Sequence, residues 1–211
     1  KTASKTLNRA TDTTRQPGST FKILASYSAA LDAGGLTLAS VQDDAPYTYA
    51  GANGKSVSNY DKRYRGFTTL REAITDSINI VTVKTLAQAG VSLGWQYVQE
   101  YGFTTVDSRD MNEALALGGI TQGVSNLELT AAYAAIANQG TYIKPKFYTK
   151  ILDHDGNVLI DNTTPESHTV IKDTTAWLLT SAMEDVMTSG TGTSAYFGSS
   201  MAQAGKSGTT T

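Results

Sequence analysis

The chain lacks cysteine altogether and contains only two histidines, His154 and His168. The absence of cysteine excludes disulfide bonds, thiol catalysis and cysteine-ligated zinc. Two histidines offer little for a histidine-based metal site or for a Ser-His-Asp triad. We therefore expect neither a metal nor a cofactor, and a serine nucleophile in this chain would need a base other than histidine.

An excess of charge of one sign and long apolar runs are also missing. The sequence has 17 Lys and Arg against 19 Asp and Glu, which gives a net charge of −2. Nucleic-acid-binding proteins normally carry a strong basic bias, so we expect no nucleic-acid partner. No apolar run approaches the length of about 18 residues that a membrane span needs. The chain starts at Lys1 without methionine and stops within an extended-looking segment at Thr211, so we expect both ends to be excision points.

What is present predicts one mostly helical domain. The length of 211 residues and the 40% hydrophobic content suffice for a buried core. Two Thr/Ser-x-x-Glu capping boxes, at Thr69–Glu72 and Ser125–Glu128, mark helix starts. One helix is predicted over 18–33, a second starts near Leu70, and a third ends at Gly90. Three more are predicted over 92–101, from 125 to about 138, and over 173–187 with Asp173 as the cap. A hairpin is predicted over 142–160 and a strand over 201–210. This order favours an α+β fold.

Residues 36–68 have no helical period and are rich in Tyr, Gly, Asn and Asp. We interpret them as a long irregular segment, which in a compact domain is often functional. A second polar interruption, at 76–79, lies between two predicted helices.

A serine and a lysine stand three residues apart at the start of the first predicted helix. Ser19 and Lys22 occupy positions i and i+3, which share one helical face, so the amine can reach the hydroxyl. Lysine acts as a base only when neutral, and lowering its pKa from about 10.4 to about 7 costs roughly 4 kcal/mol. Burial and a nearby cation both act in that direction. The spacing therefore indicates a serine nucleophile with a lysine base.

Two further short motifs complete a set. Ser77-Ile78-Asn79 lies in the polar interruption, where the hydroxyl can pass a proton and the amide can hold a substrate carbonyl. Lys206-Ser207-Gly208 lies in the predicted last strand and supplies a second cation, a hydroxyl and a glycine that permits close approach of a ligand. Each motif is weak alone. Each occurs once, however, and each stands on the kind of element that its chemistry needs.

With Ser-x-x-Lys, Ser-x-Asn and Lys-Ser-Gly in that order, the chain resembles the transpeptidase domain of a class A, bifunctional penicillin-binding protein. The flanking strings that carry the resemblance are 15–22, 69–79, 117–125, 131–133, 140–142, 190–192 and 203–209. The likeness covers essentially all of residues 1–211, with Ser207 in place of the commoner threonine. It implies the serine β-lactamase/D,D-transpeptidase-like α+β fold. In this chain we expect a helix-rich subdomain and an antiparallel sheet that is incomplete at both ends, without the glycosyltransferase domain.

The resemblance also implies the chemistry. The implied catalytic residues are Ser19, Lys22, Ser77 and Lys206, and the implied substrate-binding residues are Asn79, Ser207, Gly208 and Thr209. Ser19 would attack the D-Ala-D-Ala bond of a peptidoglycan stem peptide, and an amine from a neighbouring stem would take the acyl group. Lys22 would take the serine proton, and Ser77 would relay a proton to the leaving amine in a field tuned by Lys206. β-Lactams would acylate the same serine.

The substrate-binding roles are assigned in the same way. Asn79 would bind the substrate amide, and the hydroxyls of Ser207 and Thr209 would hold the terminal carboxylate. Backbone N–H groups of Ser19 and Thr209 would form the oxyanion hole.

Location and partners follow from the resemblance as well. The domain is expected outside the cytoplasm at the cell envelope, with a membrane anchor outside this chain. A strand at 201–210 without neighbours would be an exposed edge, so we expect the chain alone to fold poorly, to pair with a second copy, or to need a complementing strand.

Three other functions compete with transpeptidation. A D,D-carboxypeptidase would share all three motifs. A class A β-lactamase is disfavoured, because no Glu-x-x-Leu-Asn string supplies a base for deacylation. A β-lactam sensor, or an inactive fragment, would keep the serine and lysine without turning over a peptide.

Overall fold

The computed structural model describes residues 6–50, 54–198 and 200–209. Its first helical segment begins as a 3-10 turn at Gly18–Thr20, continues through a π-helical stretch at Ile23–Tyr27 and ends as helix α1, Ser28–Asp32. The other helices are α2 (Leu70–Thr75), α3 (Asn79–Ala89), α4 (Val91–Glu100), α5 (Asn126–Ala137) and α6 (Asp173–Thr188). Further 3-10 turns lie at Ser108–Asp110, Glu113–Leu117 and Thr193–Ala195.

The first helical segment forms the centre of the core. All five residues of its π-helical stretch are buried, and α3, whose Ile80, Val83 and Leu86 are fully buried, packs against it. π-Helical turns are uncommon and often occur at functional sites. The predicted helix over 18–33 is confirmed, with an irregular interior that no local pattern indicated.

The two capping boxes are confirmed at the atomic level. The Thr69 hydroxyl accepts a hydrogen bond from the Glu72 N–H, and the Glu72 carboxylate accepts from the Thr69 N–H. Ser125 and Glu128 make the same reciprocal pair at the start of α5. At α6 the prediction was wrong by one residue: Lys172 is the cap position and Asp173 is the first helical residue. An acidic residue is favourable there, because it faces the positive end of the helix dipole.

The strands form short antiparallel pairs rather than one sheet. They are β1 (Thr14–Arg15), β2 (Val41–Asp44), β3 (Tyr47–Thr48), β4 (Ser56–Val57), β5 (Gly66–Thr69), β6 (Val124–Ser125), β7 (Thr141–Ile143), β8 (Lys150–Leu152), β9 (Val158–Asp161) and β10 (Ser167–Thr169). The pairs are β1 with β6, β2 with β5, β3 with β4, β7 with β10 and β8 with β9. Helices with short antiparallel pairs agree with the expected α+β class.

The predicted hairpin over 142–160 is narrower than expected. Strands β8 and β9 do form a hairpin, with Ile151 opposite Ile160. Tyr142, however, pairs with His168 in β10 instead. Strand β7 therefore belongs to a different pair from the hairpin, and its partner lies beyond the second hairpin strand.

The predicted strand at 201–210 is absent from residues 200–209, and Thr210 lies outside the described residues. A strand exists through ladder hydrogen bonds to a neighbour, and this segment instead rests on α6, where the Gly205 N–H donates to the Met183 carbonyl at 3.2 Å. The sheet edge from which we inferred pairing with a second copy is thus not seen. That pairing stays a prediction.

No helix in the described ranges has the length and apolar character that crossing a membrane requires.

Candidate active site

The 3-10 turn that carries Ser19 is held at both of its ends. The Thr20 hydroxyl donates to the Pro17 carbonyl at 2.7 Å. Tyr133, on α5, donates from its hydroxyl to the Thr20 carbonyl at 2.6 Å. Ser19 itself is partly exposed, and its hydroxyl makes no hydrogen bond to any other residue that the structure describes. A backbone that is fixed at both ends thus presents a hydroxyl that the described residues leave without a hydrogen bond.

A loop after the 3-10 turn Glu113–Leu117 packs directly under this serine. Gln16 pairs with Ile120 through both ends of its side-chain amide: its Oε1 accepts from the Ile120 N–H at 3.0 Å and its Nε2 donates to the Ile120 carbonyl. Gly118 has a φ of +73°, and a Cβ placed there would lie 2.5 Å from the Gly18 carbonyl oxygen and 2.7 Å from the Gly18 nitrogen. The loop can approach the serine turn this closely only because position 118 has no side chain.

Replacing Gly118 by alanine is therefore expected to destabilise the protein by roughly 2–4 kcal/mol, because left-handed strain adds to a backbone clash that no rotamer relieves. Urea unfolding followed by circular dichroism measures the loss. Gly35→Ala is the matched control, since Gly35 also has a positive φ, +72°, but its Cβ would meet nothing within 4 Å. Equal losses in the two variants would contradict the role of the close approach.

Lys22 is completely buried and lies at the centre of the site. Its Nζ is hydrogen-bonded to the Ser77 carbonyl at 2.6 Å, to Asn79 Oδ1 at 2.6 Å and to Ser77 Oγ at 3.1 Å. The described residues give it no hydrogen bond to Ser19. The direct contact that the i, i+3 spacing allows is thus not made, because the Ser77–Asn79 segment occupies the amine.

A second lysine meets the same hydroxyl from the other side. Lys206 donates from its Nζ to Ser77 Oγ at 2.7 Å and to the Ser207 carbonyl at 3.1 Å. Burial lowers the pKa of Lys22 well below its ordinary value, and the positive charge of Lys206 lowers it further. Burial also lowers the pKa of Lys206, to about 8. The Ser77 hydroxyl therefore joins two amines, one of which is readily held neutral.

The lowered pKa of Lys206 has a measurable consequence for stability. Between pH 8 and 10.5 the unfolded chain binds a proton at this residue that the folded chain does not, so folding becomes more favourable as the pH rises through that window. Lys206→Met removes this dependence. Its free energy of unfolding relative to the parent is expected to fall by roughly 1–3 kcal/mol between pH 7 and pH 10. Urea unfolding at the two pH values measures it, and a difference that does not change with pH would contradict the shift.

Ser77 adopts a backbone conformation that serine rarely takes. Its φ is +56°, in the left-handed region, which costs a non-glycine residue of order 1–3 kcal/mol. It stands between the end of α2 and the start of α3, as predicted. Such strain persists only where neighbouring groups hold it, and the Lys22 amine on the Ser77 carbonyl is one of them.

The Lys206-Ser207-Gly208 segment reaches Ser77 and the serine turn without forming a strand. A Cβ on Gly208 would lie 2.8 Å from Thr20 Cγ2 and 3.2 Å from the Pro17 carbonyl oxygen, so its backbone packs on the serine turn. Ser207 shares a hydrogen bond of 2.6 Å with the hydroxyl of Thr191. Thr209 follows as an exposed residue. The three motifs are therefore brought together.

Sequence reasoning missed three groups that contact these motifs. Thr191, whose hydroxyl meets that of Ser207, lies in the Gly-Thr-Gly string 190–192, which is too short to predict a role by itself. Ser58 accepts a hydrogen bond at 2.8 Å from Asn79 Nδ2, and Asn59 accepts from the Asn79 N–H at 3.0 Å. Both belong to the irregular segment 36–68, whose composition indicated a function but no particular residue.

Residues 1–211 match the family model of the penicillin-binding protein transpeptidase domain. Penicillin-binding protein 1F of Bacillus subtilis (strain 168) is 39% identical over 207 residues, which cover 98% of this chain and 28% of that protein. Penicillin-binding protein 1A of Streptococcus oralis is 36% identical, over 96% of this chain and 32% of that protein. The crystal structure of penicillin-binding protein 1A from Haemophilus influenzae superposes with a TM-score of 0.83 and 28% identity, over 96% of this chain and 36% of that chain. The chain thus spans about a third of the length of the proteins that it matches.

Proposed function

This chain belongs to the transpeptidase domain family of penicillin-binding proteins, and on that premise we propose that it is a serine D,D-transpeptidase that cross-links peptidoglycan stem peptides through a Ser19 acyl-enzyme. One observation carries the proposal. The hydroxyl of Ser77 joins the buried amine of Lys22 to the partly buried amine of Lys206. It does so beside a turn whose serine hydroxyl has no hydrogen-bond partner among the described residues. The same serine would be acylated by β-lactams.

Lys22 is the proposed base. A neutral amine has two N–H bonds and one lone pair. The two N–H bonds fit the Ser77 carbonyl and Asn79 Oδ1, both at 2.6 Å. The lone pair has only the longer contact of 3.1 Å to the Ser77 hydroxyl, and it gives up this contact when it takes a proton from Ser19. Ser19 stands one helical turn away, and catalytic hydrogen bonds often tighten only when substrate is bound. Lys22 then takes the Ser19 proton as Oγ attacks the carbonyl carbon of the D-Ala-D-Ala bond.

Ser77 is the proposed relay to the leaving group. Once Lys22 carries the proton, it donates to Ser77 Oγ, which also accepts from Lys206. A hydroxyl that accepts from two ammonium groups has its own proton free to donate. That proton passes to the amine of the departing D-Ala, and Lys22 replaces it, so the base is neutral again for the second half of the reaction.

The remaining motif residues are proposed to hold the substrate. Asn79 has one N–H and one lone pair left beyond its bonds to Ser58 and Lys22, which suits a peptide amide. The hydroxyls of Ser207 and Thr209, with the backbone of Gly208, would bind the terminal carboxylate near the charge of Lys206. The N–H groups of Ser19 and Thr209 would bind the oxyanion.

The proposal carries a location with it. Stem peptides are cross-linked outside the cytoplasmic membrane, so the domain would act at the cell envelope, with its membrane anchor outside this chain.

The test is a reaction of the protein with a stem-peptide analogue ending in D-Ala-D-Ala, with and without an acceptor amine, followed by mass spectrometry. Release of D-Ala together with an amide-linked product supports transpeptidation. D-Ala with only the hydrolysed peptide would replace the proposal with a D,D-carboxypeptidase. A penicillin adduct without any release of D-Ala would indicate a β-lactam sensor, and neither adduct nor release in the folded protein would refute the proposal.

A further inference from the structure

The segment between β4 and β5 reaches across to the start of α3 and caps it. Helix α3 begins after Ile78, whose side chain has no group to bind the free N–H groups of the first turn. Asn59 supplies an acceptor from outside the helix: its Oδ1 accepts from the Asn79 N–H at 3.0 Å and from the Ile80 N–H at 3.2 Å. Asn59 is only 3% exposed, so these bonds are shielded from water.

The orientation of Asn59 is fixed by a buried carboxylate. Asp44 is fully buried, and its two carboxylate oxygens accept from Asn59 Nδ2 at 2.8 and 3.0 Å. The Arg65 N–H donates to the same carboxylate at 2.9 Å. A flipped amide would direct its oxygen at the carboxylate and its NH₂ at the N–H groups of α3, so only one orientation satisfies both sides. Asp44 has no role in the proposed mechanism.

The contacts converge on Asn79. Its backbone N–H is held by Asn59, its Nδ2 donates to the Ser58 carbonyl, and its Oδ1 accepts from Lys22. On the other side of Ile78 stands Ser77, in its left-handed conformation. Two groups of hydrogen bonds therefore hold residues 77–79 in place. One comes from Lys22, and the other comes from the loop that contains Asn59.

We propose that Asn59, oriented by Asp44, is a positioning residue that fixes the Ser77-Ile78-Asn79 segment for catalysis. This role rests on the proposed function. The relay needs Ser77 Oγ within hydrogen-bond distance of both lysine amines, and a displacement of about 1 Å in a catalytic group can cost about 100-fold in rate. Without Asn59, the N–H groups of Asn79 and Ile80 lose their acceptor. The strained backbone of Ser77, which precedes them, is then held by fewer contacts.

The first test is Asn59→Ala, with the second-order rate constant for acylation by benzylpenicillin as the readout. We expect a fall of roughly 10- to 100-fold at a temperature where the variant is folded. Ser125→Ala is the matched control, because it also removes a helix cap, but one whose side chain bonds only to Glu128 among the residues that the structure describes. The control is expected to lose stability while its acylation rate stays within about twofold. An Asn59→Ala protein acylated as fast as the control would refute the positioning role.

The second test exchanges the pair and separates positioning from stability. Asn59→Asp alone sets two carboxylates face to face. Adding Asp44→Asn restores a carboxylate–amide pair whose new carboxylate still faces the N–H groups of α3. Both variants lose the bond of 2.8 Å from Asn59 Nδ2 to the Arg63 carbonyl, so this loss cancels in their comparison. We expect the double variant to be acylated at least about 10-fold faster than Asn59→Asp. A double variant that regains its melting temperature but not its acylation rate would overturn the proposal, and this comparison stands even if Asn59→Ala does not fold.

The two failures are distinguishable. Absence of acylation and of D-Ala release in the parent would refute the proposed function. A normally acylated parent with an unaffected Asn59→Ala variant would refute only the positioning role.

Discussion

Replacing Ser19 by alanine is expected to abolish the covalent benzylpenicillin adduct of this protein. The parent should gain the mass of one drug molecule, because an acyl-enzyme retains the whole opened β-lactam. The variant lacks the only atom proposed to form that bond. Ser19 is partly exposed, and no described residue hydrogen-bonds to its hydroxyl, so we expect the melting temperature to be almost unchanged. Intact-mass spectrometry after incubation with excess drug measures the adduct.

Ser108→Ala is the matched control for that experiment. Ser108 is exposed and lies in another 3-10 turn, Ser108–Asp110, so its variant should keep the full adduct. An adduct on the Ser19→Ala protein would place the nucleophile elsewhere and would overturn the assignment of the site.

Replacing Lys22 by methionine is expected to lower the rate of acylation by at least about 1,000-fold, within the range that general-base groups contribute. Methionine fills a similar volume but can take no proton, and it leaves the Ser77 carbonyl and Asn79 Oδ1 without their donor. The serine would then have to react without a base beside it. Stopped-flow or quenched acylation with a chromogenic β-lactam gives the rate constant, and a thermal melt gives the folded fraction.

Lys84→Met controls for the loss of a lysine that bonds to a carbonyl. Its Nζ donates to the Asp43 carbonyl at 2.6 Å and lies 5.5 Å from the centre of the Tyr47 ring, outside the three motifs. Its acylation rate is expected to stay within about threefold of the parent, because an exposed hydrogen bond of this kind contributes only about 1 kcal/mol to stability. A folded Lys22→Met protein that reacts within tenfold of the parent would eliminate Lys22 as the base.

Signals that depend on near neighbours in the sequence were reliable. The two capping boxes each join residues three apart, and both pairs of hydrogen bonds are present. Gly90, predicted as the end of a helix, has a φ of +107° and stands between α3 and α4. Local hydrogen bonds and glycine conformations need little from the rest of the chain, which is why they can be predicted from it.

The strand prediction for 201–210 failed for the opposite reason. An extended-looking sequence becomes a strand only if a second segment supplies its ladder of hydrogen bonds. Here the Gly205 N–H instead donates to the Met183 carbonyl of α6. The predicted range of the hairpin, 142–160, was too wide for a related reason. The partner of Tyr142 is His168, which lies 26 residues further along the chain, after the second strand of the hairpin.

The sequence by itself determined which residues are the candidates for the chemistry, because the identity, order and spacing of the three motifs are properties of the chain. The tertiary structure alone decided how those residues meet. The amine of Lys22 bonds to Ser77, 55 residues away, rather than to the serine one turn before it, and the N–H groups of α3 are capped by Asn59, 20 residues before them. Hydrogen bonds over such separations depend on packing that brings the groups within about 3 Å and removes competing water, and no local pattern encodes that.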